Sequence, residues 1–134
     1  VYGRYFFMWT RGSADALVIW RDQRLEESGN PVPFLPDWEA HLGIDYTTLY
    51  RGARVSPSLR FIGPRSYLSV QAGKVGLPVS MDPYYLVGLE VTFPTRWRWD
   101  VSISANNLLN SRYDRWDGVR GAGVHMQLGA QRTW

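Results

Sequence analysis

Residues 95–106 read TRWRWDVSISAN, and the reading of this stretch decides the fold. Trp97, Trp99, Val101, Ile103 and Ala105 fall on one parity, and Arg96, Arg98, Asp100, Ser102, Ser104 and Asn106 on the other. Successive side chains of a strand point to opposite sides of a sheet, so this alternation predicts a β-strand with one apolar and one polar face. The same pattern recurs on both sides of it. The C-terminal AGVHMQLGAQRTW sets Val124, Met126, Leu128, Ala130 and Trp134 against His125, Gln127, Gly129, Gln131 and Thr133, with Arg132 the exception on the apolar parity. YLVGLEVTF sets Tyr85, Val87, Leu89, Val91 and Phe93 against Gly88, Glu90 and Thr92. DWEAHLGIDYTT sets Trp38, Ala40, Leu42, Ile44 and Tyr46 against Asp37, Glu39, His41, Gly43, Asp45 and Thr47.

RVSPSLRFIG alternates less cleanly, and Pro57 inside it predicts a bulge or an exposed edge because proline cannot donate to a ladder. The N-terminal YGRYFFMWT and ADALVIWRD are β-prone but apolar on both parities, which fits two strands around Gly12-Ser13 or one long strand. A helical period is absent over any long stretch. The connections alternate in length. Short turns are expected from Phe93 to Arg96 and over 49–52, and long polar segments over 23–36, 64–83 and 107–121. Long loops at one end and short turns at the other are the layout of an up-and-down β-barrel of the outer-membrane type.

A soluble sandwich with one solvated face would show the same alternation. Three features favour lipid on the apolar side. The strands are long for soluble ones, which average about five or six residues, and suit the roughly 9 to 11 that cross a bilayer. Aromatic residues close the apolar face at the strand ends: Trp38, Tyr46, Tyr85, Phe93, Trp97, Trp99 and Trp134. Such residues would form two girdles at the headgroup levels. The polar parity holds Glu39, Asp45, Arg60, Glu90, Arg98 and Asp100, which can satisfy one another across a hydrated lumen. On the lipid side an Arg or Lys would cost about 2 to 4 kcal/mol near mid-bilayer.

The 134 residues include seven Trp, eight Tyr and five Phe, no Cys, and a net charge of +3. Without cysteine there are no disulfides or thiolate metal sites. The cations are nearly all Arg, with Lys74 the lone lysine, and they are scattered rather than clustered, which argues against nucleic acid as a partner. There is no run of about 18 apolar residues to make a transmembrane helix. VYGRYFF carries neither an initiator Met nor a signal peptide, as expected of a mature chain or of part of a longer one. G-x-S-x-G, H-E-x-x-H and glycine-rich phosphate loops are missing. His41 and His125 share the polar parity and read as lumen residues rather than catalysts, so no enzymatic role, metal or cofactor is expected.

ANNLLNSRYDRW (105–116) followed by GVRGAGVHMQLGAQRTW (118–134) resembles the C-terminal signature of TonB-dependent outer-membrane receptors. Asn107, Leu108, Leu109, Asn110 and Tyr113 take the places of the family's Asn-Leu-Phe-Asn/Asp motif and its following Tyr, and Trp134 that of the terminal aromatic. FLPDWEAHLGIDYTT (34–48) is similar to the family's Pro-led strand a few strands earlier. The departures are Leu109 and Trp134 for the usual Phe, and Arg-Gly at 120–121 where Gly-Arg is common.

The resemblance implies an outer-membrane transmembrane β-barrel importing a scarce solute, such as a metal chelate, cobalamin or a glycan. It implies dealings with outer-membrane lipid, a TonB-type energy-coupling complex acting through N-terminal parts, and the barrel-assembly machinery. The family's barrel has about 22 strands around a plug. Six or seven strands are expected here, too few for a closed barrel of about eight or more. Residues 1–134 are therefore expected to form the C-terminal segment of a larger barrel, without a plug domain, the remaining strands lying elsewhere on the same or another chain. The alternative is a complete small eight-stranded barrel, either a lipid-modifying enzyme or a structural protein. Within the long 107–121 segment, Arg112, Tyr113, Arg115, Trp116 and Arg120 are the expected ligand contacts, since Arg forks and aromatic faces suit recognition. The competing reading is that its Arg and Asp side chains pair with each other to brace the loop.

Trp134 is the expected assembly signal. An indole at the end of an apolar strand face favours a bilayer interface, and its burial is worth about 2 to 3 kcal/mol. In the full receptor, Trp134→Ala should lower the amount assembled in the membrane, whereas Trp134→Phe should be nearly neutral, as read by surface protease accessibility. Normal assembly of the alanine variant would remove Trp134 from that role.

Overall fold

The structure is a computed structural model that describes residues 1–21, 24, 32–48, 52–71, 74–95, 98–116 and 119–132, with backbone alone at 68–71, 74–78 and 116. Its elements are all strands: β1 (Tyr2–Trp9), β2 (Gly12–Trp20), β3 (Trp38–Thr47), β4 (Arg54–Ile62), β5 (Arg65–Gln71), β6 (Lys74–Met81), β7 (Tyr84–Pro94), β8 (Trp99–Asn106), β9 (Asp114–Trp116), β10 (Val119–Arg120) and β11 (His125–Arg132). Seven of them form one antiparallel sheet in the order β1-β2-β3-β4-β7-β8-β11. The other four pair off as two ribbons, β5 with β6 and β9 with β10. Each ribbon interrupts a connection between neighbouring sheet strands, so the main sheet is a plain up-and-down meander.

Register carries one parity across the whole sheet. Val101 pairs with Phe93 and Ala130, Tyr85 with Phe61, Leu59 with Leu42, Leu42 with Ala16, and Ala16 with Tyr5. All of these residues therefore share a face with Trp99, Ile103 and Leu128. That face stays open: Ile103 is 46% exposed, Leu42 47% and Leu128 77%. Among the described residues the buried apolar side chains are few: Ala53, Ile62 and Met81, with Pro36. The accessible surface is 10419 Å2, whereas a compact monomer of this mass, 15.4 kDa, would expose roughly 7,200 Å2. A soluble sandwich would bury one face against a second sheet, and the described residues supply none.

Aromatic rings lie at both ends of the open apolar face. Trp20, Trp38, Phe61 and Tyr85 sit near the long connections; Trp9, Tyr46, Phe93 and Trp99 sit near the short turns. Trp38 stacks on Phe61 with centroids 4.4 Å apart. Between these rows lie Ala14, Ala16, Val18, Leu59, Val87, Leu89 and Ile103, smaller side chains without a polar atom. The polar face carries its own pairs. Glu39 bridges Arg21 at 2.8 Å and Arg60 at 3.4 Å, Asp15 faces His41 at 3.6 Å, and the Ser56 hydroxyl donates to Asp45.

The expected long-and-short alternation holds. Connections over 21–37, 63–83 and 107–124 emerge at one end, and the turns at 10–11, 48–53 and 95–98 at the other. The N-terminal stretch resolves into two strands that turn at Thr10-Arg11, just before the expected Gly12-Ser13. Thr48 N–H bonds to the Ala53 carbonyl at 2.7 Å to close the second turn, in which Gly52 takes φ 69°, a conformation glycine adopts without a Cβ clash.

Two expectations need correction. Arg98 has φ 58°, which breaks the extended run, so β8 begins at Trp99, and β7 runs on to Pro94 inside the expected 93–96 turn. Thr95 N–H closes it on the Trp99 carbonyl at 2.7 Å. Pro57 makes neither a bulge nor an edge. β4 lies between β3 and β7, and its register with β3 is the same on both sides of Pro57, with pairing absent only opposite Ile44 and Asp45. Trp97 and Trp134 lie outside the described residues.

The outer edges of β1 and β11 are not paired with each other, so the sheet is open, and the complete eight-stranded barrel finds no support. Unpaired edges cannot be left in hydrocarbon. Expressed by itself, this 134-residue stretch should aggregate or need a partner chain supplying strands on both edges. A heat-modifiable, monomeric, protease-resistant barrel from it alone would contradict this.

Candidate functional site

Chemistry concentrates where the two ribbons meet the sheet. Arg65 opens β5 and is buried, with 7% of its surface exposed. Its Nη2 donates to the Asp114 carbonyl at 2.8 Å and its Nη1 to the Arg115 carbonyl at 3.4 Å. The guanidinium also lies 5.0 Å from the ring centroid of Tyr84, which in turn stacks on Tyr113 at 4.2 Å. Tyr84 pairs with Ile62 and so belongs to the polar parity, opposite to its neighbour Tyr85. One cation thus ties the β5–β6 ribbon to the β9–β10 ribbon across 49 residues of sequence. Together they enclose a hollow of about 280 Å3 whose walls include Arg65, Met81, Asp82, Tyr84, Arg112 and Tyr113.

The 107–124 connection is shaped by asparagine. Asn107 is 2% exposed with φ 53°, and Asn110 has φ 50°. Asparagine enters this left-handed region more readily than other non-glycine residues. The Asn107 Nδ2 donates to the carbonyls of Ser111 and Ala122, both at 3.0 Å, and its Oδ1 accepts the Ser111 N–H at 2.9 Å. Asn110 Oδ1 accepts the Val124 N–H at 3.4 Å. The two ends of the loop are thereby stitched at the strand termini. A Cβ added to Gly121 would collide with the Tyr113 ring, so only glycine lets the returning chain pass so close.

The expected ligand contacts separate into two groups. Arg112, Arg115 and Arg120 are exposed, and none forms an ion pair with a carboxylate among the described residues. Among the described residues no Arg–Asp ion pair braces this loop, and the bonds seen there come from the asparagines and Arg65. Tyr113 is half-buried and packed on Tyr84, so it is part of the wall rather than an outward contact. Trp116 belongs to β9, and its side chain lies outside the described set. Asp117 is outside it altogether.

Arg65 and Tyr84 escaped the sequence reading. The Tyr84-Tyr85 doublet was the available signal, since adjacent strand residues must face opposite sides and one ring had to turn inward. Arg65 had no such signal among so many arginines.

The polar face forms a second, shallower hollow of about 380 Å3 over Asp15, His41, Asp45, Glu90, Ser104 and Gln127. His41 on β3 and His125 on β11 are four strands apart, roughly 19 Å along the sheet, and so share no site. His125 Nδ1 lies 3.4 Å from the Gly123 carbonyl.

A family model described as TonB dependent receptor-like, beta-barrel, matches residues 2–108. The chain belongs to that family. The match takes in the two N-terminal strands, for which the sequence motifs had given no resemblance, and stops within the NLLN segment. Among solved structures, a chain of the FpvAI–pyocin S2 complex superposes with TM-score 0.73 at 17% identity, over 92% of this chain and 17% of that one. The likeness is one of fold: an antiparallel up-and-down barrel wall, here open and partial. This chain spans about a sixth of the length of that structure. No curated protein matches the sequence.

Asn107→Ala should free the 108–123 loop of this TonB-dependent receptor wall without unravelling the sheet. It removes three hydrogen bonds and strains a positive φ, a local cost of about 2 to 4 kcal/mol. Limited proteolysis of the assembled protein should show faster cleavage in that loop. Asn107→Gly relieves the φ strain but not the lost bonds, and should be nearly as susceptible. Wild-type resistance of both variants would contradict the stitching role.

Proposed function

We propose that this chain is barrel wall and external loops, from the C-terminal portion of a TonB-dependent receptor in the bacterial outer membrane, and that the receptor imports a scarce solute of the metal-chelate, cobalamin or glycan class. The observation that carries this reading is a single-layer sheet of the family's barrel type whose continuous apolar face is exposed and bounded at both ends by aromatic side chains. From Tyr85 to Phe93 the apolar row runs about 27 Å along the strand, and a tilt of 35–45° reduces this to roughly 20 Å of height, comparable with the apolar band of about 25 Å on such barrels. In this reading Trp38, Tyr46, Tyr85, Phe93 and Trp99, with Trp97 and Trp134, sit at the headgroup levels. The long connections face outward, and Arg112, Arg115 and Arg120 present guanidiniums at the mouth of the barrel. The chain supplies wall and recognition surface but no reaction. Energy coupling falls to other parts of the receptor engaging a TonB-type complex, and the last strand is read by the barrel-assembly machinery.

Sidedness tests the reading. In the assembled receptor, cysteines placed at Trp99, Val101 and Ile103 should react only with lipid-soluble probes, and those at Asp100, Ser102 and Ser104 with small water-soluble thiol reagents. Equal aqueous labelling of both sets would end the lipid-outside assignment. Solute uptake that persists after collapse of the inner-membrane proton gradient would end the energy-coupled import assignment.

A further inference from the structure

Arg65 is a buried cation without a counter-anion among the described residues. Its contacts are two backbone carbonyls and the face of Tyr84, and no carboxylate among the described residues forms an ion pair with it. Its Nε, fully buried, has no acceptor at all. Buried charges are ordinarily paired because desolvation without a partner is costly. Here the charge is instead held in place by two loops at the wall of a hollow of about 280 Å3. A second guanidinium, Arg112, lines the same hollow and is exposed. Asp82 and Asp114 line it too, but both are exposed, where water and salt screen them far more than they screen Arg65.

We propose that this hollow is an oxyanion site. Arg65 is its buried cation, Arg112 the cation at its rim, and the ligand is a carboxylate or phosphate group on the solute that the receptor carries. A guanidinium meets such groups through N–H···O bonds, and each Nη of Arg65 keeps one N–H beyond the bond it gives to a carbonyl. The Tyr84–Tyr113 stack and Met81 give the anion's organic remainder an apolar wall. Tyr84 lies on the polar parity, away from the aromatic-bounded apolar face, so a lipid headgroup is not the ligand. The assignment of the anion to a carried solute rests on the receptor reading; the site itself does not.

The test uses the full receptor in detergent with Ser80→Cys, a residue exposed in the wall of the hollow, in a chain region that has no cysteine of its own. The rate of labelling by a water-soluble thiol reagent is followed as inorganic phosphate, or separately acetate, is added. For a Kd near 1 mM, about 10 mM anion should slow labelling roughly tenfold, following 1 + [L]/Kd. Protection by phosphate alone assigns the site to phosphate groups, and by acetate alone to carboxylates. Arg65→Gln should abolish the protection. Where that variant fails to assemble, Arg112→Gln, a change at an exposed side chain, should weaken it severalfold. No slowing by either anion, equal slowing by chloride at matched ionic strength, or protection that survives the substitutions overturns the proposal. If β8 labels with the expected parity in the same preparation while the anions give no protection, the site fails and the receptor reading stands.

Discussion

Among the described residues no second layer packs on the seven-stranded sheet, so the backbone ladder carries the fold. Each inner strand satisfies its N–H and C=O groups through its two neighbours, so the antiparallel pairing from β1 through β11 is the condition for every other feature. A one-residue slip anywhere would turn apolar side chains to the wet face and polar ones outward. Constant register across Pro57 shows how strictly this is kept: the chain accepts two unpaired positions opposite Ile44 and Asp45 rather than shift the strand. From β3 onward the two faces then differ in kind. One offers aromatic rows with aliphatic residues between them, and the other offers Glu39, Arg60, Asp15 and His41 linked across neighbouring strands.

The ends of the ladder differ in kind. At the short-turn end the chain reverses within a few residues, helped by positive φ at Gly52 and Arg98. At the other end it leaves the sheet for long excursions, two of which, over 63–83 and 107–124, carry short ribbons. Two devices hold them. Asn107 mimics a backbone group and ties both ends of its loop to the strand termini, while Arg65 draws the neighbouring ribbon onto it. The first is a local bond network that an asparagine can make anywhere a strand ends. The second joins segments that meet only because β4, β7 and β8 are adjacent, and it leaves a desolvated positive charge at the mouth of the molecule.

Alternation made most of the sheet legible in advance. Strand positions, their faces and the one-sided distribution of long connections all follow from a period of two and from where Pro, Gly and polar residues interrupt it. β1 and β2 were ambiguous because Phe6, Met8, Leu17 and Ile19 are apolar on the parity that is polar elsewhere. Pairing settled them by placing Tyr5 opposite Ala16 and Phe7 opposite Ala14, in line with the apolar face of β3. The start of β8 was misread because Trp97 and Arg98 continue the alternation in sequence, although the positive φ of Arg98 turns the backbone away from it. A pattern of polarity records side-chain preference, not backbone angle.

The class of fold and the two faces of each strand were thus set by the chain's own alternation, because these depend on residues close together in the sequence. The tertiary structure alone decided which arginine is buried, that Tyr84 turns inward to meet Tyr113, and that Arg112, Arg115 and Arg120 stay free of described carboxylates. The physical reason is that burial and charge pairing are set by neighbours brought together across the sheet. Arg65 and Asp114 are 49 residues apart, and nothing in either one's local sequence specifies the other.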